Sequence, residues 1–329
     1  MSICVLGAGA WGTALALRLV GHVDVVLWSR SLDHANSMEQ ARENKRYLPG
    51  HVFPDSLAIS ADLDSALSKA ELLIAAVPSN GFRALILALR QAGVTIPIVW
   101  LCKGMESGSQ KLPHAVLAET WPQHPPAAVL SGPSFAHEIV CGLPAALTVA
   151  SADAEFARRV AWRLHDPKLR LYASTDVIGV ELGGAVKNVI AIAAGISDGL
   201  GFGLNARAAL VTRGLAEMTR LGLKLGGKPE TFMGLSGMGD LILTCTGDLS
   251  RNRQLGLRLA GGESLEDALR ALGHVAEGAT TALEVDRLAH ELHVDMPITQ
   301  AVAQVLNQQI PPREAVAALL ARDLKDEID

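Results

Sequence analysis

Two lysines, an aspartate and a Ser-Arg-Asn triplet are the residues of this chain best suited to chemistry. Lys187 stands in Glu181-Leu182-Gly183-Gly184-Ala185-Val186-Lys187-Asn188, a run otherwise small or apolar. Two glycines one turn before it let another backbone or a ligand approach that helix face. Burial and a second cation such as Lys103 both push a lysine's pKa down, towards values useful for proton transfer. As an ammonium, Lys187 can polarise a carbonyl and protonate the incipient alkoxide; as a neutral amine, it can take a proton from an alcohol. The alternative is a lysine that lays its stem along apolar surface. Asp240, in Gly237-Met238-Gly239-Asp240-Leu241, suggests a glycine-rich loop near a ligand and can orient Lys187 through a charge-assisted hydrogen bond. Ser250, Arg251 and Asn252 supply a hydroxyl, a fork of donors and an amide, which suit a phosphate or carboxylate. The same triplet also fits an exposed helix start. Asp198, Asn205 and Arg207 are further polar residues between these motifs.

The frame for these residues begins with Ser2 to Trp28, ICVLG-AGAWG-TALALRLV-GHVDVVLW. Strand, tight turn, helix and second strand follow in that order, the opening βαβ unit of a dinucleotide-binding domain. Gly7 lets the chain turn off the strand, Gly9 lets bare backbone approach a pyrophosphate, and Gly12 brings the helix close to the sheet. The helix start then offers free N–H groups to the phosphates. The second strand ends in Ser29-Arg30, where an arginine accommodates the 2′-phosphate of NADP. A solvated surface arginine is the alternative.

Further buried strands are expected at Glu71–Val77, Pro97–Leu101 and Ala127–Leu130, with closing strands at Leu147–Ala150 and Leu169–Tyr172. Ser79-Asn80, Lys103 and Ser134 fall at three successive strand ends, where ligands bind in open parallel sheets. Asn44 to Pro54 reads as an ordered loop. From about Asp176 only helix-compatible runs remain: 180–197, 206–225, 263–272, 280–292, 299–307 and 312–320. The expected fold is an α/β Rossmann-type parallel-sheet domain over residues 1–176, followed by an all-α domain over 177–329. The active site belongs in the cleft between them. Glu277, after Val275, can bond a nicotinamide carboxamide or stay solvated.

Bulk composition fits this division. A chain of 329 residues suits two domains, and 49% hydrophobic with 19% charged residues reads as soluble and globular. A net charge of −5 without an arginine stripe argues against nucleic acid. The apolar run from Val189 to Leu204 is broken by Asp198 and glycines, which argues against a membrane span. With the first strand at residue 2, no secretory signal is expected, and a cytoplasmic setting follows. Cys4, Cys102, Cys141 and Cys245 lie far apart, so buried free thiols and no metal site are expected. The ten histidines show no clustering; His137 stands out only for lying near Ser134.

Over nearly its whole length the chain resembles bacterial NAD(P)-dependent glycerol-3-phosphate dehydrogenases. The resemblance rests on GAGAWGTALA (7–16), VVLWSR (25–30), AVPSNGFR (76–83), CKGME (102–106) and LSGPSFAHEI (130–139). It continues through GVELGGAVKNVIAIAAGISDGLGFGLNARAAL (179–210), GLSGMGDLILTCTGDLSRNRQLG (234–256), VAEG (275–278) and MPIT (296–299). It implies hydride transfer between sn-glycerol 3-phosphate or dihydroxyacetone phosphate and NAD(P), feeding phospholipid synthesis, and a helical domain like that of 6-phosphogluconate dehydrogenase. Lys187 would be the proton acceptor in oxidation, and Lys103 would sit between substrate and cofactor. Gly132, Ser134, Asp240, Ser250, Arg251 and Asn252 would line the substrate, with Arg251 and Asn252 on its phosphate. Ala10, Trp11, Arg30, Ala136, Arg251, Val275 and Glu277 would contact the cofactor. Trp11 and Ser134 stand where relatives often carry Tyr or Phe and Thr. Cys102, beside the lysine, suggests sensitivity to oxidation. A homodimer suits such a helical domain, and feedback inhibition by lipid precursors is a further implication. Two rivals are a 3-hydroxy-acid or 6-phosphogluconate type dehydrogenase, whose substrate carboxylate needs other anchors, and a redox sensor without turnover, which has no use for Lys103, Lys187, Asp240 and Arg251 together.

Overall fold

The apolar runs at the centre of the sheet become strands buried on both faces. The computed structural model describes residues 2–273 and 277–322. The chain opens with β1 (Ser2–Leu6), α1 (Ala10–Leu19), β2 (Asp24–Trp28) and α2 (Leu32–Ala41). A hairpin of β3 (Glu43–Asn44) and β4 (Leu48–Val52) follows, then β5 (Leu57–Ser60), α3 (Leu63–Leu67), β6 (Leu72–Ala75) and α4 (Ser79–Gln91). Next come β7 (Ile98–Trp100), α5 (Pro113–Thr120), β8 (Ala127–Ser131), α6 (Ala136–Val140), β9 (Ala145–Ala150), α7 (Ala154–Leu164) and β10 (Leu169–Ser174).

All strands but the hairpin form one eight-stranded sheet, ordered β10-β9-β8-β7-β6-β1-β2-β5. Strand order reverses between β1 and β6, and that crevice is where ligands bind in such sheets. One face is packed by α1, α6 and α7 through Leu15, Ile139, Phe156 and Val160; the other by α4 and α5 through Phe82, Ile86 and Leu117. The sheet departs from uniform parallelism: β8 pairs antiparallel with β9, so β9 and β10 run against the rest. Only about four residues join α6 to β9, room for a reversal but not for a parallel crossover.

The expected loop at 44–54 is instead the β3–β4 hairpin. The buried Asn44 amide holds it beneath the glycine turn, donating to the Ala8 carbonyl at 2.9 Å and to Thr13 Oγ1 at 2.8 Å. β4 is LPGHV, largely exposed and without alternation, so no strand period announces it.

Beyond β10 the described residues are helical: α8 (Val177–Gly199), α9 (Gly203–Lys224), α10 (Pro229–Phe232), a π-helical turn (Leu235–Gly239), α11 (Asp240–Thr246) and α12 (Arg251–Ala260). They continue with α13 (Leu265–Ala271), α14 (Glu277–Leu292), α15 (Pro297–Leu306) and α16 (Pro312–Leu320). The Asp176 carboxylate caps α8, accepting from Gly179 N–H at 2.9 Å and from Lys228 N–H at 2.8 Å. α8 is apolar and long enough to cross a bilayer, yet it is buried as the axis of the helical layer. Its Val186, Val189 and Ile190 meet Leu221, Phe232, Leu255, Val285 and Val302 from the surrounding helices.

Candidate active site

Three charged side chains from distant parts of the chain meet where β7 and β8 end against α8. Lys103, just after β7, donates from Nζ to the Gly132 carbonyl at 2.8 Å, to Ser134 Oγ at 3.1 Å and to Asp240 Oδ2 at 2.8 Å. The other Asp240 oxygen accepts from Lys187 Nζ. Lys187 also donates to Thr244 Oγ1 at 3.1 Å, and that hydroxyl donates in turn to the Asp240 carbonyl at 2.6 Å. Lys187 and Asp240 are buried, with exposures of 5% and 1%. Lys103 keeps a partly open face.

The glycines before Lys187 explain how α8 comes so near. A methyl on Gly183 would overlap the Ser236 carbonyl oxygen of the π turn. A methyl on Gly184 would stand 2.8 Å from Ser131 Oγ and 3.5 Å from Lys103 Cγ. Asn188 completes the junction: its amide donates to the Lys103 carbonyl at 2.9 Å and accepts from Asn252 Nδ2, also at 2.9 Å.

Electrostatics poise this cluster for proton transfer. Burial pulls Lys187 from 10.5 down to about 8; Lys103 acts the same way, and Asp240 opposes both. Burial alone would raise Asp240, but the two ammonium groups outweigh it and hold the carboxyl below its ordinary range. A buried Lys-Asp-Lys cluster carries one net positive charge, an environment that favours a developing alkoxide.

The glycine turn fits a dinucleotide. Gly7 has φ +125°, a conformation other residues rarely adopt, and a Cβ there would lie 2.5 Å from the Ala76 carbonyl oxygen. A Cβ on Gly12 would overlap the Gly7 carbonyl, whereas one on Gly9 would meet nothing within 4 Å. Gly12 therefore serves packing, and Gly9 borders open space at the start of α1. Ala10 and Trp11 begin that helix; the buried Trp11 Nε1 has no hydrogen-bond partner among the described residues. Arg30 is exposed at the end of β2, and Ala136 is the first residue of α6. These residues would hold the pyrophosphate at the turn and a ribose phosphate at Arg30.

Several sequence expectations change on inspection. Asp240 lies not in a loop but at the first position of α11, entered through the π turn. Ser250 is the buried N-cap of α12, accepting from Arg253 N–H at 3.3 Å, so the triplet starts a helix that is buried at its cap. Asn252 already bonds Asn188 and accepts from Gly278 N–H at 3.2 Å, which leaves one amide hydrogen uncommitted. Arg251 is half-buried, its guanidinium pKa lowered by burial, and it makes no side-chain hydrogen bond among the described residues. Glu277 is partly buried: it accepts from Ser79 N–H at 3.2 Å, tying α14 to α4, and burial raises its carboxyl. Val275 lies outside the described residues. Asp198 and Arg207 pair with each other, and Arg253 joins the same carboxylate.

The thiols also divide differently. Cys102 is buried, donates to the Val77 carbonyl at 3.2 Å and is pushed well above an ordinary thiol by burial, which opposes reactivity. Cys141 is exposed instead of buried, and its neighbours include His137 and His51, so histidine clustering exists in space where spacing showed none. Thr244 and Asn188 carry no motif of their own. The one available signal was Thr244 standing four residues after Asp240, on the same helix face.

Comparison with known proteins follows the same division of the chain. The family profile described as NAD-dependent glycerol-3-phosphate dehydrogenase N-terminus matches residues 2–157, and its C-terminus counterpart matches residues 176–317. A glycerol-3-phosphate dehydrogenase (NAD(P)+) of Nitrosospira multiformis is 58% identical over 332 residues, covering 100% of both chains. Its counterpart in Dechloromonas aromatica is 55% identical over 328 residues, again covering 100% of both. The crystal structure of glycerol-3-phosphate dehydrogenase from Coxiella burnetii superposes with a TM-score of 0.94 at 44% identity, over 98% of this chain and 99% of that one.

Proposed function

The chain belongs to the NAD-dependent glycerol-3-phosphate dehydrogenase family, and from that premise we propose how its own residues carry the reaction. It interconverts sn-glycerol 3-phosphate and dihydroxyacetone phosphate with NAD(P). When bound, the nicotinamide supplies or accepts the hydride at the substrate's C2. Lys187 takes the hydroxyl proton in oxidation and returns it to the carbonyl oxygen in reduction. Asp240 and Thr244 fix the direction of its Nζ, and Lys103 adds positive charge beside the same oxygen.

Arg251 binds the substrate's phosphate, helped by the remaining amide hydrogen of Asn252, and Ser250 sets the start of α12 beneath them. Gly132 and Ser134 hold Lys103 in place. Gly7, Gly9, Ala10, Trp11, Gly12, Arg30, Ala136, Val275 and Glu277 form the cofactor side, with Arg30 favouring NADP(H). The proposal takes residues 1–176 as the cofactor domain and 177–329 as the substrate domain. It adds a cytoplasmic homodimer that supplies glycerol 3-phosphate for phospholipid synthesis.

The observation that carries this reading is the buried Asp240 shared by Lys103 and Lys187. The test is the loss of nicotinamide absorbance with dihydroxyacetone phosphate, run with NADPH and NADH in parallel for the native chain and Lys187→Met. Turnover should collapse in the variant while NADPH binding persists. Near-normal turnover in Lys187→Met would reject the assignment.

A further inference from the structure

Away from the reaction site, His51 on β4, His137 on α6 and Cys141 at the end of α6 converge on one surface patch. His51 and His137 lie 86 positions apart in sequence, so the fold and not local spacing brings them together. His137 and Cys141 are four residues apart at one helical turn, which puts them on the same face. His51 Nε2 is 3.4 Å from His137 Nδ1, and Cys141 Sγ is 3.8 Å from His137 Nε2. One donor atom from each of the three lies within 4.8 Å of the others. Among the described residues no carboxylate or backbone carbonyl hydrogen-bonds these side chains, and their side-chain hydrogen-bond partners are members of the trio.

Bonds of about 2.0–2.1 Å to nitrogen and about 2.3 Å to sulfur put tetrahedral zinc ligands about 3.3–3.6 Å apart. The two short contacts use opposite nitrogens of His137, only one of which can bind a given ion, so the relevant geometry is one donor atom per residue within 4.8 Å of the others. Side-chain rotation and closure of up to about 1.5 Å then reach the zinc spacing. Imidazole and thiolate donors select borderline-soft cations of the zinc class over magnesium or calcium. We propose that His51, His137 and Cys141 bind one zinc-class divalent cation, with water as the fourth ligand. The ion fastens the β3–β4 hairpin to α6, across which His51 and His137 already meet. Binding displaces the thiol proton to solvent and leaves both imidazoles neutral.

The test titrates cobalt(II), then zinc(II), into the full chain after it has been stripped of metal and kept reduced. One cobalt per chain should bind with a thiolate-to-metal charge-transfer band, and zinc should displace it. Cys141→Ser should abolish the band, and His51→Ala and His137→Ala should each weaken binding about tenfold or more. The absence of saturable binding, a band that survives Cys141→Ser, or unchanged affinity in either histidine variant would overturn the proposal.

Discussion

Replacing Asp240 with asparagine removes the anion that Lys103 and Lys187 share, and the pH dependence of turnover should move with it. In the native site burial lowers Lys187 to about 8. With Lys187 as the proposed base, oxidation of glycerol 3-phosphate needs the neutral amine, so its kcat/KM should rise with pH and level off above about 8. Reduction needs the ammonium, so its kcat/KM should fall through the same region. Asparagine keeps the shape of the side chain and loses its charge. A unit charge about 4 Å away contributes about 4 kcal/mol at an effective dielectric constant of about 20, and about 1.4 kcal/mol moves a pKa by one. Relaxation and water reduce this, so the limb should move to lower pH by about one to three.

Lys103→Met provides the opposite sign. It removes the like charge that helps lower Lys187, so the same limb should move up. The substrate phosphate titrates near pH 6, about two below the native limb and alike in every variant. Steady-state kcat/KM in both directions between pH 5.5 and 10 (about the usable range, given a general base poised near neutrality) reads all three proteins. A limb that stays near 8 or rises in Asp240→Asn would refute the electrostatic argument, whatever happens to absolute rates.

Other consequences are simpler to read. Arg251→Ala should raise KM for dihydroxyacetone phosphate about tenfold or more with a smaller change in kcat, since a lost charge-assisted hydrogen bond is worth about 1.5–3 kcal/mol; a purely kcat effect would oppose phosphate binding. Gly183→Ala should lower stability by about 1–3 kcal/mol, seen as an earlier urea midpoint, because the methyl overlaps backbone that cannot retreat. Gly9→Ala should leave that midpoint alone and weaken cofactor binding, because open space surrounds Gly9 and its φ is −75°. Brief alkylation of the native chain should label Cys141 and spare Cys4, Cys102 and Cys245, as peptide mass spectrometry would show; early labelling of Cys102 would reinstate it as an oxidation-sensitive thiol.

Much of this architecture is legible in the chain because strand ends are punctuated. Ala-Val-Pro-Ser-Asn after β6, Cys-Lys-Gly after β7 and Gly-Pro-Ser after β8 each break an apolar run, so Lys103 and Ser134 can be assigned to the ligand edge of the sheet. The direction of β9 and β10 is not encoded in this way; it follows from the short α6–β9 connection, whose length becomes evident only once the bounds of α6 are known. The π turn misleads for another reason: Gly234, Gly237 and Gly239 look like a loop, yet Gly237 lets the turn fold against the Phe232 backbone and Gly183 lets α8 press against the turn. Asn44, Asn188 and Thr244 are illegible individually. Each acts by bonding a partner remote in sequence or a neighbouring backbone group, and no local pattern records that.

The cost of the buried charges bears on why they are there. A carboxylate removed from water loses solvation that its partners only partly restore, and apolar residues of similar size often serve stability as well or better. The core already has apolar surfaces enough to pack α8 against α11 and α12 without an ion cluster at their end. What the cluster adds is a fixed positive field and an amine poised between protonation states. The same burial that makes Lys187 costly to keep charged makes its proton available. Asp240 keeps that tendency in check, because without it two ammonium groups would face each other in a largely buried site. The glycine pair on α8 belongs to this arrangement as much as the charged residues do: Gly184 sets how near α8 can come to Lys103, and Gly183 sets how near it comes to the turn that presents Asp240. A larger residue at either position would alter the distances on which the proton equilibrium depends, so packing and the Lys187 proton equilibrium are set by the same two backbone positions.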